Sequence, residues 1–281
     1  MKIGLTLPSF VEDPEIPIRV AAVAESAGVD GVFVYDHLFR TGRDGEMRPA
    51  LECLGLLGAL AVETNRITLG TLVVRATLRP PATLAAALDT VVRIAGPRLV
   101  VGIGAGDEES RREMETFGLP MGTEVDRVQR LRAALRALDG RPYPTWVGGR
   151  ARHVGLVAAQ NAKGWNRWGV DAERYAVEAA EVMALVRRLN PKPDEFTLSW
   201  GGLVVLAAND DAAREKAARL GAGAGTLVGG PRTIATELGR LRDAGAEWAI
   251  LGPVDSTDPT NAEFLGEELC ARLHEVASAD G

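Results

Sequence analysis

The sequence contains few of the residues that most often carry metal, redox or Schiff-base chemistry. Its 281 residues include only two cysteines, three histidines and four lysines. Cys53 and Cys270 both lie in helical patterns, without a CxxC spacing or a histidine neighbour, so they do not indicate a zinc or redox site. None of the lysines follows a predicted strand, which argues against a Schiff-base enzyme. We therefore predict no metal site.

Long apolar runs and basic clusters are also missing. No stretch reaches the roughly 18 apolar residues of a membrane-spanning helix, and the first nine residues have the pattern of a strand rather than of an export signal. The net charge is −6, and the basic residues are spread along the chain, which is not the pattern of a nucleic-acid-binding surface. We expect a cytoplasmic protein that acts on a small molecule, with no membrane or nucleic-acid partner.

Short apolar runs alternate with amphipathic segments along the whole chain. Runs rich in Val, Ile and Leu predict strands, and apolar residues three and four apart predict helices. The predicted strands are 3–7, 31–35, 67–74, 98–103, 144–147, 164–168, 198–207 and 248–251. The predicted helices are 16–27, 49–63, 80–94, 124–138, 152–162, 172–189, 211–220, 231–244 and 262–276.

Eight apolar strands joined by helices predict a parallel sheet that closes into a (β/α)8 TIM barrel. An open doubly wound sheet is the alternative, but it would want a GxGxxG turn after an early strand. The first turn here, 8–12, contains no glycine. No linker divides the chain, so we predict a single domain over residues 1–281.

The active site of such a barrel lies at the C-terminal ends of its strands. Asp36 and His37 follow the second predicted strand, and a carboxylate beside an imidazole suits proton transfer. Alone this pair is a weak signal, since most such pairs are loop or surface residues. The other two histidines, His153 and His274, fall on predicted helices, and this favours His37.

Glycines follow the fourth and fifth predicted strands. Gly102, Gly104 and Gly106 alternate, which permits either close approach of a planar ligand or tight packing. The pair 148–149, just ahead of a helix and beside Arg150, offers backbone N–H groups to a phosphate. The same arrangement recurs at 229–231, where a simple helix start is the better interpretation.

Nine short motifs follow one another along the chain: KIGLTLP at 2–8, AESAGVD at 24–30, VYDHL at 34–38, ITLGTLV at 67–73, LVVGIGAG at 99–106, WVGG at 146–149, GWN at 164–166, VGGP at 228–231 and DAGA at 243–246. In this order they resemble the bacterial luciferase-like monooxygenase family, especially its branch that uses the deazaflavin coenzyme F420. The resemblance covers nearly the whole chain. It implies a luciferase-like barrel and an F420-dependent oxidoreductase that passes a hydride between the cofactor and a small organic substrate.

The resemblance also implies roles for individual residues. Asp36 and His37 would face the cofactor ring, with His37 as the proton donor or acceptor, and Asp107 or Glu109 would be the second acidic group. A non-proline cis peptide bond between Leu72 and Val73 would form a backstop behind the ring. The remaining predicted cofactor contacts are Gly104, Ala105, Gly106, Gly148, Gly149, Arg150 and Trp165, with the cofactor phosphate at 148–150. Relatives often form dimers, so we expect a homodimer.

Two departures from the family pattern are visible. Relatives commonly carry a long excursion before the fifth strand, whereas here residue 138 runs almost directly into residue 144. Many relatives also place a tryptophan where this chain has Asp107. The substrate does not follow from the resemblance.

Three alternatives stay open at this point. The barrel could use FMN as a monooxygenase, since the two cofactors share the fold. Arginines near the mouth would suit the anionic oligoglutamate tail of F420, although surface arginines are usually just solvated; they are Arg40, Arg43, Arg75, Arg79 and Arg150. A barrel isomerase with an acid, a histidine and a phosphate site is the second alternative. A binding protein without a cofactor is the third.

Overall fold

The computed structural model describes residues 1–41 and 45–270. Its strands are β1 (Lys2–Thr6), β2 (Gly31–Val34), β3 (Phe39–Thr41), β4 (Met47–Pro49), β5 (Thr68–Arg75), β6 (Leu99–Gly104), β7 (Thr145–Gly148), β8 (Gly164–Trp168), β9 (Thr197–Leu206), β10 (Leu227–Gly229) and β11 (Trp248–Pro253). Its α-helices are α1 (Glu15–Ala27), α2 (Cys53–Glu63), α3 (Pro81–Ala95), α4 (Arg111–Thr116), α5 (Glu124–Leu138), α6 (Ala151–Asn161), α7 (Ala172–Leu189), α8 (Asp210–Leu220), α9 (Pro231–Asp243) and α10 (Thr260–Phe264).

Eight parallel strands close into a barrel. The pairing runs β11, β1, β2, β5, β6, β7, β8 and β9, and β9 pairs in turn with β11. These strands match the eight predicted ones to within two residues, and the (β/α)8 barrel predicted from the sequence is confirmed. Within the described part of the chain, no helix has the length and apolarity needed to cross a bilayer.

An apolar cluster fills the half of the barrel interior nearer the N-terminal ends of the strands. Phe33, Trp146 and Trp248 come from three different strands, and their ring centroids lie 5.7–6.2 Å apart. Leu72, Val100 and Ile250 complete this cluster. Side chains alternate across a strand, so Tyr35 and Gly148, two positions beyond Phe33 and Trp146, face the same interior nearer the C-terminal mouth. Aromatic and aliphatic side chains therefore fill the interior next to Val73.

The helices form an outer layer with ordinary terminal signals. Thr123 and Asp126 form a reciprocal capping box at the start of α5, α3 begins with Pro81, and α1 ends at Gly28 with φ of 85°. Such residues satisfy or avoid the unpaired backbone groups of helix ends. The larger apolar core lies between these helices and the barrel.

Several elements differ from the predictions. Residues 47–49 belong to an antiparallel hairpin of β3 and β4, so α2 begins at Cys53 and not near residue 49. A 3₁₀ turn and α4 follow β6. Strand β10 pairs with the C-terminal end of β9. The last predicted helix is observed as α10 followed by a π-helical segment to Cys270. Its residues 271–276, with His274 and also Arg43, lie outside the described residues.

The connection before the fifth barrel strand is short, as the sequence indicated. Helix α5 ends at Leu138 and β7 begins at Thr145. The rim is built instead by the hairpin after β2 and by α4 after β6. These two pack together through Phe39 and Phe117, whose ring centroids are 6.3 Å apart, and through a hydrogen bond from Arg112 to Thr41 of 3.3 Å.

Candidate active site

The predicted cis peptide bond between Leu72 and Val73 is present in β5. At this point the register of β5 against β6 shifts, and the Val73 side chain lies over Gly104 and Gly148. A Cβ atom at either glycine would come within 2.6 Å of Val73, closer than van der Waals contact permits. These glycines therefore make room for Val73, and their contact with a cofactor stays a prediction.

His37 presents its imidazole to the mouth. Its side chain is 45% exposed, and Nδ1 lies 3.2 Å from Oε2 of Glu113. The ring belongs to an aromatic group with Phe10 and Tyr35, whose centroids lie 5.7 and 5.9 Å from it. Since Nδ1 is engaged, Nε2 is the ring nitrogen left for a ligand.

Glu113, on α4, is the carboxylate beside this imidazole. Its side chain is only 6% exposed, Arg75 donates to Oε2 over 2.8 Å, and the backbone N–H of Leu38 donates to Oε1. Burial alone would raise the pKa of Glu113, but the hydrogen bonds from His37, Leu38 and Arg75 outweigh it and hold the pKa at about 2. Glu113 is therefore ionised at neutral pH.

Sequence reasoning missed Glu113, because residues 107–116 carry no apolar run and read as a loop. The sequence held only a weak signal for it, an acidic residue one helical turn beyond Glu109.

The two acidic residues predicted from the sequence, Asp107 and Glu109, lie elsewhere. Asp107 is exposed and caps the 3₁₀ turn by accepting from Ser110 over 3.2 Å, and Glu109 is exposed on that turn.

Asp36 does not pair with His37. Its buried carboxylate accepts two hydrogen bonds from Arg79, of 2.7 and 3.0 Å, and a third from the Arg75 backbone N–H. Arg79 also pairs with Glu52. Adjacent residues on an extended chain point in opposite directions, so Asp36 anchors β5 from behind while His37 faces the mouth. The expectation that Asp36 faces the ring is wrong in this respect.

Trp165 lies outside the mouth, and Trp168 lies at it. Trp165 is fully buried against Tyr175 of α7, and its Nε1–H donates to the carbonyl of Gly149 over 2.9 Å. The prediction that Trp165 contacts a cofactor directly does not agree with this burial. Trp168 is 36% exposed and packs over two inward positions, Gly201 and Gly252.

Besides Trp168, the mouth has a polar inward-facing residue, Asn166, and an apolar one, Leu203. Asn166 donates to Ser199 over 3.0 Å, and Leu203 is exposed above Gly252. One wall thus carries Trp168 and Leu203, and another carries His37 with its aromatic neighbours. The arrangement can hold a flat ligand and move one proton.

Backbone N–H groups at the predicted phosphate site, and at the similar turn 229–231 that the sequence indicated as a helix start, already bind internal carboxylates. The Ala151 N–H at the start of α6 donates to Glu178 over 3.0 Å, and the Gly230 N–H before α9 donates to Asp210 over 2.8 Å. Arg150 is exposed. Part of the backbone of 148–151 is therefore already used in an internal hydrogen bond, and a phosphate bound there would depend on the arginine side chains.

The arginines considered for an anionic tail have different roles. Arg75 and Arg79 form the ion pairs described above, and Arg40 lies over the ring of Phe10 at 4.9 Å. Arg150 lines a cavity at the rim. Of the described members of this set, Arg40 and Arg150 are exposed, and both can meet an anionic group.

With this geometry in place, comparison with known proteins assigns a family. Residues 1–247 match the family model described as luciferase-like monooxygenase. The chain therefore belongs to the luciferase-like monooxygenase family.

Relatives and solved structures agree with that family. The F420-dependent glucose-6-phosphate dehydrogenase of Beutenbergia cavernae is 33% identical over 164 residues, which are 58% of this chain and 46% of that protein. The chain thus spans less than half the length of this relative. An F420-dependent secondary alcohol dehydrogenase bound to an F420–acetone adduct superposes with a TM-score of 0.81 at 15% identity, over 96% of this chain and 98% of that one.

A monooxygenase of known structure has the same fold. The EDTA monooxygenase of a Chelativorans species also superposes with a TM-score of 0.81, at 13% identity, over 99% of this chain and 94% of that one. At such low identity, both structural likenesses establish the fold alone.

Proposed function

We propose that this protein is an oxidoreductase that transfers a hydride between coenzyme F420 at the barrel mouth and a small organic substrate. The observation that carries the proposal is the half-exposed His37, whose Nδ1 lies 3.2 Å from the ionised carboxylate of Glu113. The F420-dependent enzymes among the similar proteins support the choice of cofactor.

The residues at the mouth fit a planar ring. Because Gly104 and Gly148 have no side chains, Val73 lies over them at the bottom of the mouth. Gly201 and Gly252 in the same way make room for the flat indole of Trp168 on the opposite wall. Val73, Gly104, Ala105 and Gly106 would hold the ring, and residues 148–150 would lie next to its phosphate.

When bound, the deazaflavin accepts or supplies the hydride. The chain's own contribution is a proton at Nε2 of His37, given to or taken from the substrate oxygen or carbon as the hydride moves. Glu113 accepts a hydrogen bond from the Nδ1–H of His37, and this bond fixes the orientation and the tautomer of the imidazole. Trp168 and Leu203 cover the site with apolar surface and exclude water.

A monooxygenase that uses FMN is the second candidate. It is favoured by the description of the matching family model, luciferase-like monooxygenase. Homodimer formation stays a prediction from the resemblance.

A binding titration tests both candidates. We expect F420 to bind with micromolar or better affinity and FMN more weakly, and we expect binding to quench tryptophan fluorescence. Four of the five tryptophans are buried, and Trp168 is the exposed one, so Trp168→Phe should remove most of the quenching. Failure of both cofactors to bind would exclude both oxidoreductase functions.

A further inference from the structure

Two large apolar side chains meet at one point of the mouth, on the side away from Val73. A Cβ atom at Gly252 would lie 3.2 Å from Cη2 of Trp168 and 3.4 Å from Cδ2 of Leu203. The hydroxyl of Thr6 would lie 3.0 Å from the same atom. We call the surface formed by Trp168 and Leu203 the apolar wall.

Strand register places the apolar wall inside the barrel. Leu203 pairs with Gly252, and Trp168 pairs with Gly201. Ile250, two positions before Gly252, is fully buried in the apolar cluster of the interior, and side chains two positions apart face the same side of a strand. In the order of the eight strands β11 lies opposite β6. The wall therefore faces the side of the mouth where the cofactor ring is proposed.

The apolar wall is uncovered, although its side chains are large. Leu203 is 45% exposed and Trp168 is 36% exposed, whereas Trp248 and Ile250 of the neighbouring strand are buried. An apolar group that covers such a concave surface removes apolar area from water on both sides, which is favourable. The wall therefore favours a ligand with an apolar group.

Two cations beside the C-terminal ends of β8, β9 and β11 are paired within the protein. Arg167 precedes Trp168 in β8, so its side chain points away from the interior, and it pairs with Glu178 over 2.9 Å. Lys216 of α8 pairs with Asp255, which follows β11, over 2.8 Å. Neither cation is free to neutralise an anionic group at the wall, and burial of an unpaired charge against apolar side chains is unfavourable.

His37 lies on the same side of the mouth, two strand intervals from Gly252. The strand before it, β2, pairs with β1, and β1 pairs with β11. Next to the imidazole lie the rings of Phe10 and Tyr35. A molecule whose reacting group is at Nε2 of His37 thus lies between these rings and the apolar wall. Thr6, on the intervening strand, offers it one hydroxyl.

We propose that the substrate of this protein is uncharged and carries an apolar group that packs on Trp168 and Leu203 while its reacting group lies at Nε2 of His37. The inference rests on the proposed function, because it names the substrate class of that same site. It excludes sugar phosphates and other anions as preferred substrates.

Ligand-observed NMR titration without the cofactor tests the apolar wall. The probes are two uncharged ketones, acetophenone and 2-octanone, and two anions, 4-acetylbenzoate and glucose 6-phosphate. We expect at least one ketone to bind the wild type about tenfold or more tightly than either anion, because the wall offers no charge to pair with the anion. Equal or tighter binding of an anion, or absence of ketone binding, overturns the proposal.

A charge placed on the apolar wall locates the binding. Because Leu203 is exposed, Leu203→Lys should fold; it should weaken ketone binding by about fivefold or more and strengthen binding of 4-acetylbenzoate, a reversal that misfolding does not produce. Leu156→Lys is the matched control, since Leu156 is 43% exposed on helix α6, outside the barrel, and it should bind every probe as the wild type does. An unchanged preference in Leu203→Lys overturns the proposal.

Titration of the wild type with F420 separates this inference from the proposed function. If the ketone preference and its reversal are observed but F420 does not bind, the proposed function fails and the apolar ligand class of the mouth stands. If F420 binds but the wild type prefers an anion, the proposed function stands and this inference fails.

Discussion

Replacement of Glu113 by glutamine probes the group that holds His37. The amide keeps the size of the side chain and can still accept from Leu38, but it loses the negative charge that faces Arg75 and His37. A folded-state pKa of about 2 against an ordinary 4.5 corresponds, at about 1.4 kcal/mol per pKa unit, to about 3.5 kcal/mol of stabilisation at pH 7. We expect Glu113→Gln to lower the free energy of unfolding by about this amount.

The pH dependence of the free energy of unfolding tests the sign of the contribution from Glu113. Because the pKa of Glu113 is lowered by folding, its stabilisation is fully present above pH ~4.5 and is lost as the pH falls towards 2. The difference between wild type and Glu113→Gln should therefore be largest at pH 7 and less than half as large at pH 3. Urea unfolding at pH 7, 5 and 3, followed by tryptophan fluorescence, measures it.

A matched control and a kinetic readout complete this test. Glu115→Gln, on the same helix, removes an exposed carboxylate 3.6 Å from Arg111, and should change stability by less than about 1 kcal/mol. In Glu113→Gln, turnover with F420 should fall while the KM for substrate changes little, because the orientation of His37 is lost rather than a binding contact. A stability difference that is the same at every pH would refute the electrostatic reasoning.

Two further predictions concern the mouth. His37→Ala should leave F420 affinity within about threefold and lower turnover at least about 100-fold, the usual contribution of a general acid or base; steady-state kinetics with unchanged turnover would remove His37 from the mechanism. Gly148→Ala places a Cβ atom 2.5 Å from Val73 and should cost about 1–3 kcal/mol in urea unfolding. Adding Val73→Ala should recover part of that cost, and a purely additive loss would contradict the contact.

The barrel was predictable because its signals are local. Each barrel strand is a short, largely buried run, such as 99–104, and the long helices carry an apolar repeat near 3.6 residues, as in 124–138, which also begins with a capping box. The resemblance to the family added the cis bond at Leu72–Val73, which no local pattern could indicate.

The rim was not predictable, because its elements are short and polar. The strands of the β3–β4 hairpin are three residues long, and α4 has the sequence RREMET, which presents a single apolar residue. Glu113 meets His37 across 76 residues of chain, a separation at which sequence pattern says nothing about contact. The Asp36–His37 dipeptide was misleading for the opposite reason: adjacency in sequence places the two side chains on opposite faces.

The filled base of the barrel has a kinetic consequence. Phe33, Trp146 and Trp248 fill the interior against which Val73 packs, so a molecule that reaches Val73 would enter from the C-terminal mouth. Two molecules stacked there would arrive and depart in a fixed sequence. The one nearest Val73 binds first and dissociates last, which predicts compulsory-order kinetics rather than random addition.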